Sequence, residues 1–381
     1  MGWTRNKSAI APQPEEPSLI LWLMPGVVAL MIGVLLFVLH ASKMLGDLQA
    51  FDPWVIAASP LVFWFLAFCL RGWFYSNAFN QHQFESDEAD YAQQQWVEWA
   101  GRHLAVLHCD VILPDPLTVA RFIQAPADME QHRQQARRIS EGEVDGLTQL
   151  LKEARDALQR LPTDLPLNLI LLTDSTLDVS SLHSRMSETW RRVMPEGFPL
   201  PDLQIQRQQS LLALEARLKL PEISAELILV EQVNGGDSYS DALAALLLTT
   251  DDVTTKYRFK HSARLLRPMQ VNREQQHEEL ALYFGTQTQA NSTQLIIGDD
   301  DQRSCSFSEV LSASDKTGSR WAPGQVHWLE KYAGISGPFS PWVMAAVTSS
   351  VVELYQLDCL MLSNDGQQRF ITTVTKGKQD E

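Results

Sequence analysis

The chain has 381 residues, 45% of them apolar, and a formal net charge of −15. That length supports one large or two ordinary domains, each with a real core. The acidic balance argues against nucleic acid as a partner, because neutralising phosphates takes a basic stripe.

Basic and acidic residues balance up to residue 72, so the whole acidic excess lies in the remainder. An acidic domain is repelled by an anionic membrane surface and is expected to stand off it.

Residues 1–18 are polar and Pro-rich (APQPEEPS) and read as a disordered tail. Two apolar stretches follow, about 19–40 and 54–70, neither containing Asp, Glu, Lys or Arg. About 20 such residues in a helix cross the hydrocarbon layer of a bilayer. Pro25, Gly26 and Pro60 are tolerated there, where neighbouring groups satisfy the freed backbone. Trp22, Trp54 and Trp73 fall near the ends, where indole rings prefer the headgroup layer. The first run is longer than a signal-peptide core, and only Ala41-Ser42 offers a cleavage site. Residues 19–72 are therefore expected to form a transmembrane hairpin in an inner membrane. Arg5, Lys7 and Arg71 against Lys43 place both termini in the cytoplasm.

Residues 73–102 mix aromatics and acids at helical spacing and read as a linker helix. Residues 103–381 read as one soluble α/β domain, open to division into two subdomains. Strands are expected at His103–Leu113, Leu167–Thr173, Leu203–Gln206, Ala225–Glu231 and Thr293–Gly298. Glu143–Leu161 carries Leu147, Leu150, Leu151, Ala154 and Leu158 on one helical face. Further helices are expected at Ser180–Met194, Ser210–Leu220, Ser240–Thr249, Glu274–Phe284 and Pro341–Tyr355. Asn364-Asp365-Gly366 between apolar runs marks a closing hairpin over Leu357–Val374. Apolar strands separated by helices imply a mixed sheet covered on both faces. The helix Pro341–Tyr355 followed by this strand pair resembles the thiolase-like fold; no catalytic residue carries that resemblance. No stretch of the sequence repeats another at a fixed period.

Cys69, Cys109, Cys305 and Cys359 match neither a zinc pattern nor a CxxC motif and read as reduced structural thiols. The histidines show no HExxH or HxH pairing, and no P-loop, GxSxG or GxGxxG motif occurs. Asp315-Lys316-Thr317-Gly318 resembles the phosphorylation loop of P-type ATPases but departs from it at Ser319-Arg320-Trp321, so a solvated turn is expected. Lys316-Thr317-Gly318 is also similar to a serine β-lactamase box, with no Ser-x-x-Lys upstream. Gly334-Ile335-Ser336-Gly337-Pro338 reads as a structural turn.

Two carboxylate sets sit at the carboxyl ends of expected strands, where α/β proteins keep their sites. Asp299-Asp300-Asp301 has the oxygen ligands that hard divalent cations prefer. Asp174-Ser175-Thr176 resembles the loop of haloacid-dehalogenase-like phosphatases but lacks the second Asp two residues on. Asp174, Asp299, Asp300 and Asp301 are thus the candidate metal ligands. No catalytic or cofactor-binding residue is assigned, and no cofactor is expected.

The anchor and the missing active-site motifs favour a non-catalytic interaction protein presenting an acidic domain to a protein partner, as an accessory of a bacterial envelope or secretion machine. The alternatives are a membrane-anchored enzyme, either a metal-dependent hydrolase or a degenerate enzyme fold, using the strand-end aspartates, and a toxin-immunity protein. A pore is disfavoured, since Ser59 alone is polar in the second span.

Overall fold

The computed structural model describes residues 3–5, 10–44, 46–126, 129–140, 145–220, 222–302, 304–315, 318, 321–366 and 368–378, without the side chains of Asp47 and Leu48. The chain divides into two compact units, Arg5–Gln95 and an α/β unit of Met1–Thr4 with Trp96–Glu381.

In the first unit, helix α1 spans Leu19–Ala41 and begins at Ser18, whose hydroxyl accepts from the Leu21 N–H. Helix α2 spans Pro53–Gly101 without a break, so the second apolar stretch and the expected linker form one helix of 49 residues. Both are long and apolar enough to cross a membrane by length and composition. Their apolar side chains face outward: Leu19, Ile20, Met31, Trp54 and Phe63 are all exposed. The two helices touch where side chains are small. A Cβ on Gly33 would sit 2.4 Å from the Ala57 carbonyl, and the Trp64 indole N–H donates to the Trp22 carbonyl at 3.0 Å.

The α/β unit follows with β1 (His103–Ile112), α3 (Val119–Gln124), α4 (Gly146–Gln159), β2 (Leu167–Thr173), α5 (Val179–Val193), β3 (Asp202–Gln206), α6 (Leu212–Lys219), β4 (Ala225–Gln232) and β5 (Ala242–Thr250). Helix α7 (Asp251–Tyr257) leads to β6 (Ala263–Leu266), β7 (Met269–Val271), α8 (Gln276–Thr286), β8 (Leu295–Gly298), α9 (Phe307–Ser314), β9 (Val326–Trp328), α10 (Glu330–Ala333), α11 (Ser340–Tyr355), β10 (Cys359–Asn364) and β11 (Arg369–Lys376). The mixed α/β sheet and the closing β10–β11 hairpin are as the sequence pattern implies.

The sheet is built twice from one plan. Its order is β3-β2-β4-β5-β1-β6-β11-β10-β8-β9, with β7 on β11. In the first half β2 is parallel to β3 and β4, then β4–β5 and β5–β1 are antiparallel. In the second half β8 is parallel to β9 and β10, then β10–β11 and β11–β6 are antiparallel. Strand order and direction match at every step, and β1 pairs antiparallel with β6 where the halves meet.

Alternate side chains divide the core into layers. Leu169, Leu171, Leu227 and Leu229 face α4 and α5. Ile296, Leu360, Leu362 and Ile371 face α8 and α9. Ile170, Leu172, Ile228, Val230, Met361 and Phe370 face inward on an inner layer of α6 and α11. Strands buried on both faces read as continuous apolar runs, which is why β2 and β4 are visible in the sequence.

Two expectations are corrected. Ser240–Thr249 is not a helix: Ala242–Thr250 is strand β5, buried along its whole length between β4 and β1. Its Ala/Leu run has no period that separates a buried strand from a buried helix. Trp3, placed in a disordered tail, is buried against Trp99 and Tyr283, with ring centroids 5.1 and 5.3 Å away. Burying an indole offsets the entropy of ordering so short a segment.

Candidate functional site

The carboxyl ends of β4 and β8 meet at the start of α11, where the Phe339 N–H donates to the Gln232 side chain at 3.1 Å and the Ser340 hydroxyl to Asp299 at 2.9 Å; the sequence places its candidate ligands after β8 and after β2, the parallel neighbour of β4. The structure separates them into different tasks.

Asp174 follows β2, and its oxygens are filled. It accepts from the Val233 N–H at 3.2 Å, the Asn234 N–H at 2.8 Å, the Asn234 amide at 3.0 Å and the Tyr239 hydroxyl at 3.1 Å. Burial and the neighbouring carboxylate push the Tyr239 phenol up to about 12. Asp174 therefore holds the β4–β5 turn. Beside it, buried Glu231 accepts from Thr173 and pairs with Arg185 at 2.6 Å, and Arg185 reaches Asp145 at 3.2 Å.

Asp299 ends β8 and is fully buried. It accepts from the Asp300 N–H, the Ser304 and Ser340 hydroxyls, and both the backbone N–H and the side-chain amide of Asn364. These bonds tie β8, β10 and the first turn of α11 together. Burial pushes the carboxyl up to about 6, against the pull of its donors. Asp299 is structural: its two oxygens are taken up by these five donors.

Asp300 and Asp301 turn the other way and meet Glu330 of α10. One oxygen from each of the three lies within 4.8 Å of the others. The Glu330 N–H donates to the Asp299 carbonyl at 2.9 Å, which sets the α10 side chain over the strand end. Burial first, then Asp300 and Asp301, push the Glu330 carboxyl up to about 7. The Arg133 guanidinium reaches Asp301 at 3.0 Å. Asp301 Oδ1 is buried without a hydrogen-bond partner among the described residues. Three carboxylates and an orphaned buried oxygen suit a hard divalent cation. Sequence reasoning found Asp300 and Asp301 and missed Glu330, because nothing in the chain links α10 to the end of β8 before folding.

The remaining motifs are structural among the described residues. Asp315 caps the end of α9, and the Gly318 N–H donates to its carbonyl at 3.3 Å; Lys316 and Thr317 lie outside the described residues. In the 334–338 loop the Ile335 N–H donates to the Gln135 carbonyl, and the Ser240 N–H to the Ile335 carbonyl. Burial pushes the Cys109 and Cys305 thiols up to about 12 and raises Cys359, so none of these three is poised as a thiolate.

No protein-family model matches the chain, and no curated protein matches its sequence. Solved structures do. A type II polyketide ketosynthase with its acyl-carrier protein is 10% identical with a TM-score of 0.46, over 72% of this chain and 99% of that chain. OleA from Xanthomonas campestris, solved with cerulenin, is 10% identical with a TM-score of 0.44, over 74% and 98%. A 3-oxoacyl-[acyl-carrier-protein] synthase III from Aquifex aeolicus is 12% identical with a TM-score of 0.41, over 71% and 99%.

This comparison corrects the expectation of a non-catalytic interaction protein, accessory to a secretion machine or conferring toxin immunity. The structures that the chain is similar to are condensing enzymes. The leaning away from an enzyme is corrected with it. At these identities and TM-scores the likeness transfers no activity, substrate or residue to this chain.

Proposed function

We propose that the chain is a membrane-tethered α/β protein of enzyme type whose working centre holds a hard divalent cation at Asp300, Asp301 and Glu330. The observation that carries the centre is the convergence of these three carboxylates with one buried oxygen left without a hydrogen-bond partner. A bound cation would supply Lewis-acid chemistry there. Without it, Glu330 sits near neutral pH, where a carboxyl both takes and gives a proton. Arg133 fixes the orientation of Asp301 and offsets part of the negative charge.

The tether is α1 together with the first part of α2. Its support is the outward-facing apolar side chains of both helices and the absence of charge over 19–40 and 54–70. In this reading both termini lie in the cytoplasm of an inner membrane, and the α/β unit works on that side.

Titrating Mn2+ into the full chain in neutral detergent, with Mn2+ relaxation and melting temperature as readouts, tests the centre. Saturable binding is expected, lost in Asp301→Asn and in Glu330→Gln and kept in Asp174→Asn. Binding that survives Asp301→Asn and Glu330→Gln together refutes this centre. Carbonate washing of membranes tests the tether separately: extraction of the chain into the wash refutes it.

A further inference from the structure

A cleft of about 1010 Å3 opens in the α/β unit beside the start of β1, the start of β6 and the end of α7. Its charge runs against that of the molecule. Arg258, Lys260, Arg264 and Lys378 line it, whereas the soluble region carries the entire acidic excess. The acid on its wall, Asp251, is already held by Arg102 at 2.8 Å. Among the described residues, neither Arg258 nor Lys378 has an ion-pair partner. Two cations without an ion-pair partner on one wall are unfavourable unless an anion relieves them.

The cations are placed by the backbone. Arg258 caps α7 with φ of 54°, in the left-handed region that favours glycine. The Gly377 N–H donates to the Ser262 carbonyl, and a Cβ on Gly377 would lie 1.8 Å from the His261 carbonyl oxygen. Only this close approach brings Lys378 alongside His261. The Arg264 Nε–H donates to His261 Nε2 at 3.1 Å, which keeps that imidazole neutral and leaves the terminal guanidinium nitrogens for a ligand. His103 stands 6.3 Å from His261, ring to ring. Burial, and the charge of Arg264, push His103 down to about 4 and lower His261. Phe259, stacked on Tyr257, supplies an apolar wall.

We infer that this cleft binds a phosphate-bearing small molecule, its phosphate held by Arg258, Arg264 and Lys378 and its organic part against Phe259. Two guanidinium forks and an ammonium group match a multiply charged phosphate better than a singly charged carboxylate. The volume suits a small ligand. The acidic surroundings exclude a long polyanion, whose charge would extend past the cleft. The inference does not depend on the cation centre or on the tether.

The phosphate source is either a soluble phosphate ester or an exposed lipid headgroup, and the experiment separates them. Inorganic pyrophosphate is titrated by calorimetry into the full chain in neutral detergent. Saturable binding is expected, weakened about tenfold in Arg258→Gln and in Lys378→Gln, and unchanged in Arg155→Gln on α4. Circular dichroism and melting temperature confirm that each variant is folded. The second arm reconstitutes the chain in vesicles of neutral lipid with or without anionic phospholipid. A pyrophosphate affinity lowered by the anionic lipid assigns the site to headgroups; an unchanged affinity assigns it to soluble esters. No saturable heat at millimolar pyrophosphate, or equal weakening in Arg155→Gln, overturns the inference.

Discussion

Five donors converge on Asp299, yet burial still pushes its carboxyl up to about 6. The usual aspartate value is near 3.9, so the folded state holds the proton more tightly than the unfolded chain does. A raised value means that the stability it contributes is complete below about pH 4 and is lost as pH rises through about 6. A shift of that size corresponds to about 3 kcal/mol. Asp299→Asn cannot titrate, and its amide would face donors. The stability of wild type over Asp299→Asn is therefore expected to shrink by up to about 3 kcal/mol between pH 4 and pH 7. Urea unfolding at the two pH values measures this, and a pH-independent difference contradicts it. The sequence offered three adjacent aspartates as equals. Only packing assigns Asp299 to the core and turns Asp300 and Asp301 toward Glu330.

Helix α11 is the element with least freedom to vary. Every residue from Ser340 to Ser349 is buried, and the helix packs on β1, β5, β6, β10 and β11. Its composition is accordingly apolar all round rather than striped. Pro341 sits at its first turn, where the missing N–H costs nothing. Ala345 and Ala346 are fully buried and set the distance to the strands. Ala346→Phe is expected to lower stability by about 3 kcal/mol, whereas Leu354→Phe, on the exposed end of the same helix, changes it by less than about 0.5. Chemical unfolding compares the two; equal effects would mean that α11 is not the packed centre. Its helix was legible from the apolar run after Pro341. The helix expected over Ser240–Thr249 fails on the same kind of run. An Ala/Leu segment buried on all sides shows no alternation, and only its pairing with β4 and β1 makes it a strand.

At the scale of the molecule, the two halves of the sheet repeat one topology without any repeat in sequence. Backbone pairing conserves strand order and direction, while the side chains of each half have adapted to different neighbours: α4 and α5 on one, α8 and α9 on the other. The division of the chain into two units carries its own prediction. A fragment beginning at Trp96 is expected to be soluble and to unfold cooperatively. It should lose about 1–3 kcal/mol from the missing Trp3 contact with Trp99 and Tyr283. Adding a peptide of the first residues, or Trp3→Ala in the full chain, measures that contact independently. An insoluble, non-cooperative fragment would make the apolar helices part of the core and remove the case for a tether.

The sequence by itself determined the elements whose pattern is local: two charge-free runs of spanning length, the amphipathic α4, the doubly buried β2 and β4, and the hairpin at Asn364-Asp365-Gly366. Each follows from the chemistry of neighbours within a few residues. The tertiary structure alone decided which distant groups meet. It set Glu330 beside Asp300 and Asp301, spent Asp174 on a turn, and gathered Arg258, Arg264 and Lys378 around one cleft. Those contacts join residues far apart in the chain, and their spacing is fixed by strand pairing and helix packing, which leave no periodic trace in a single sequence.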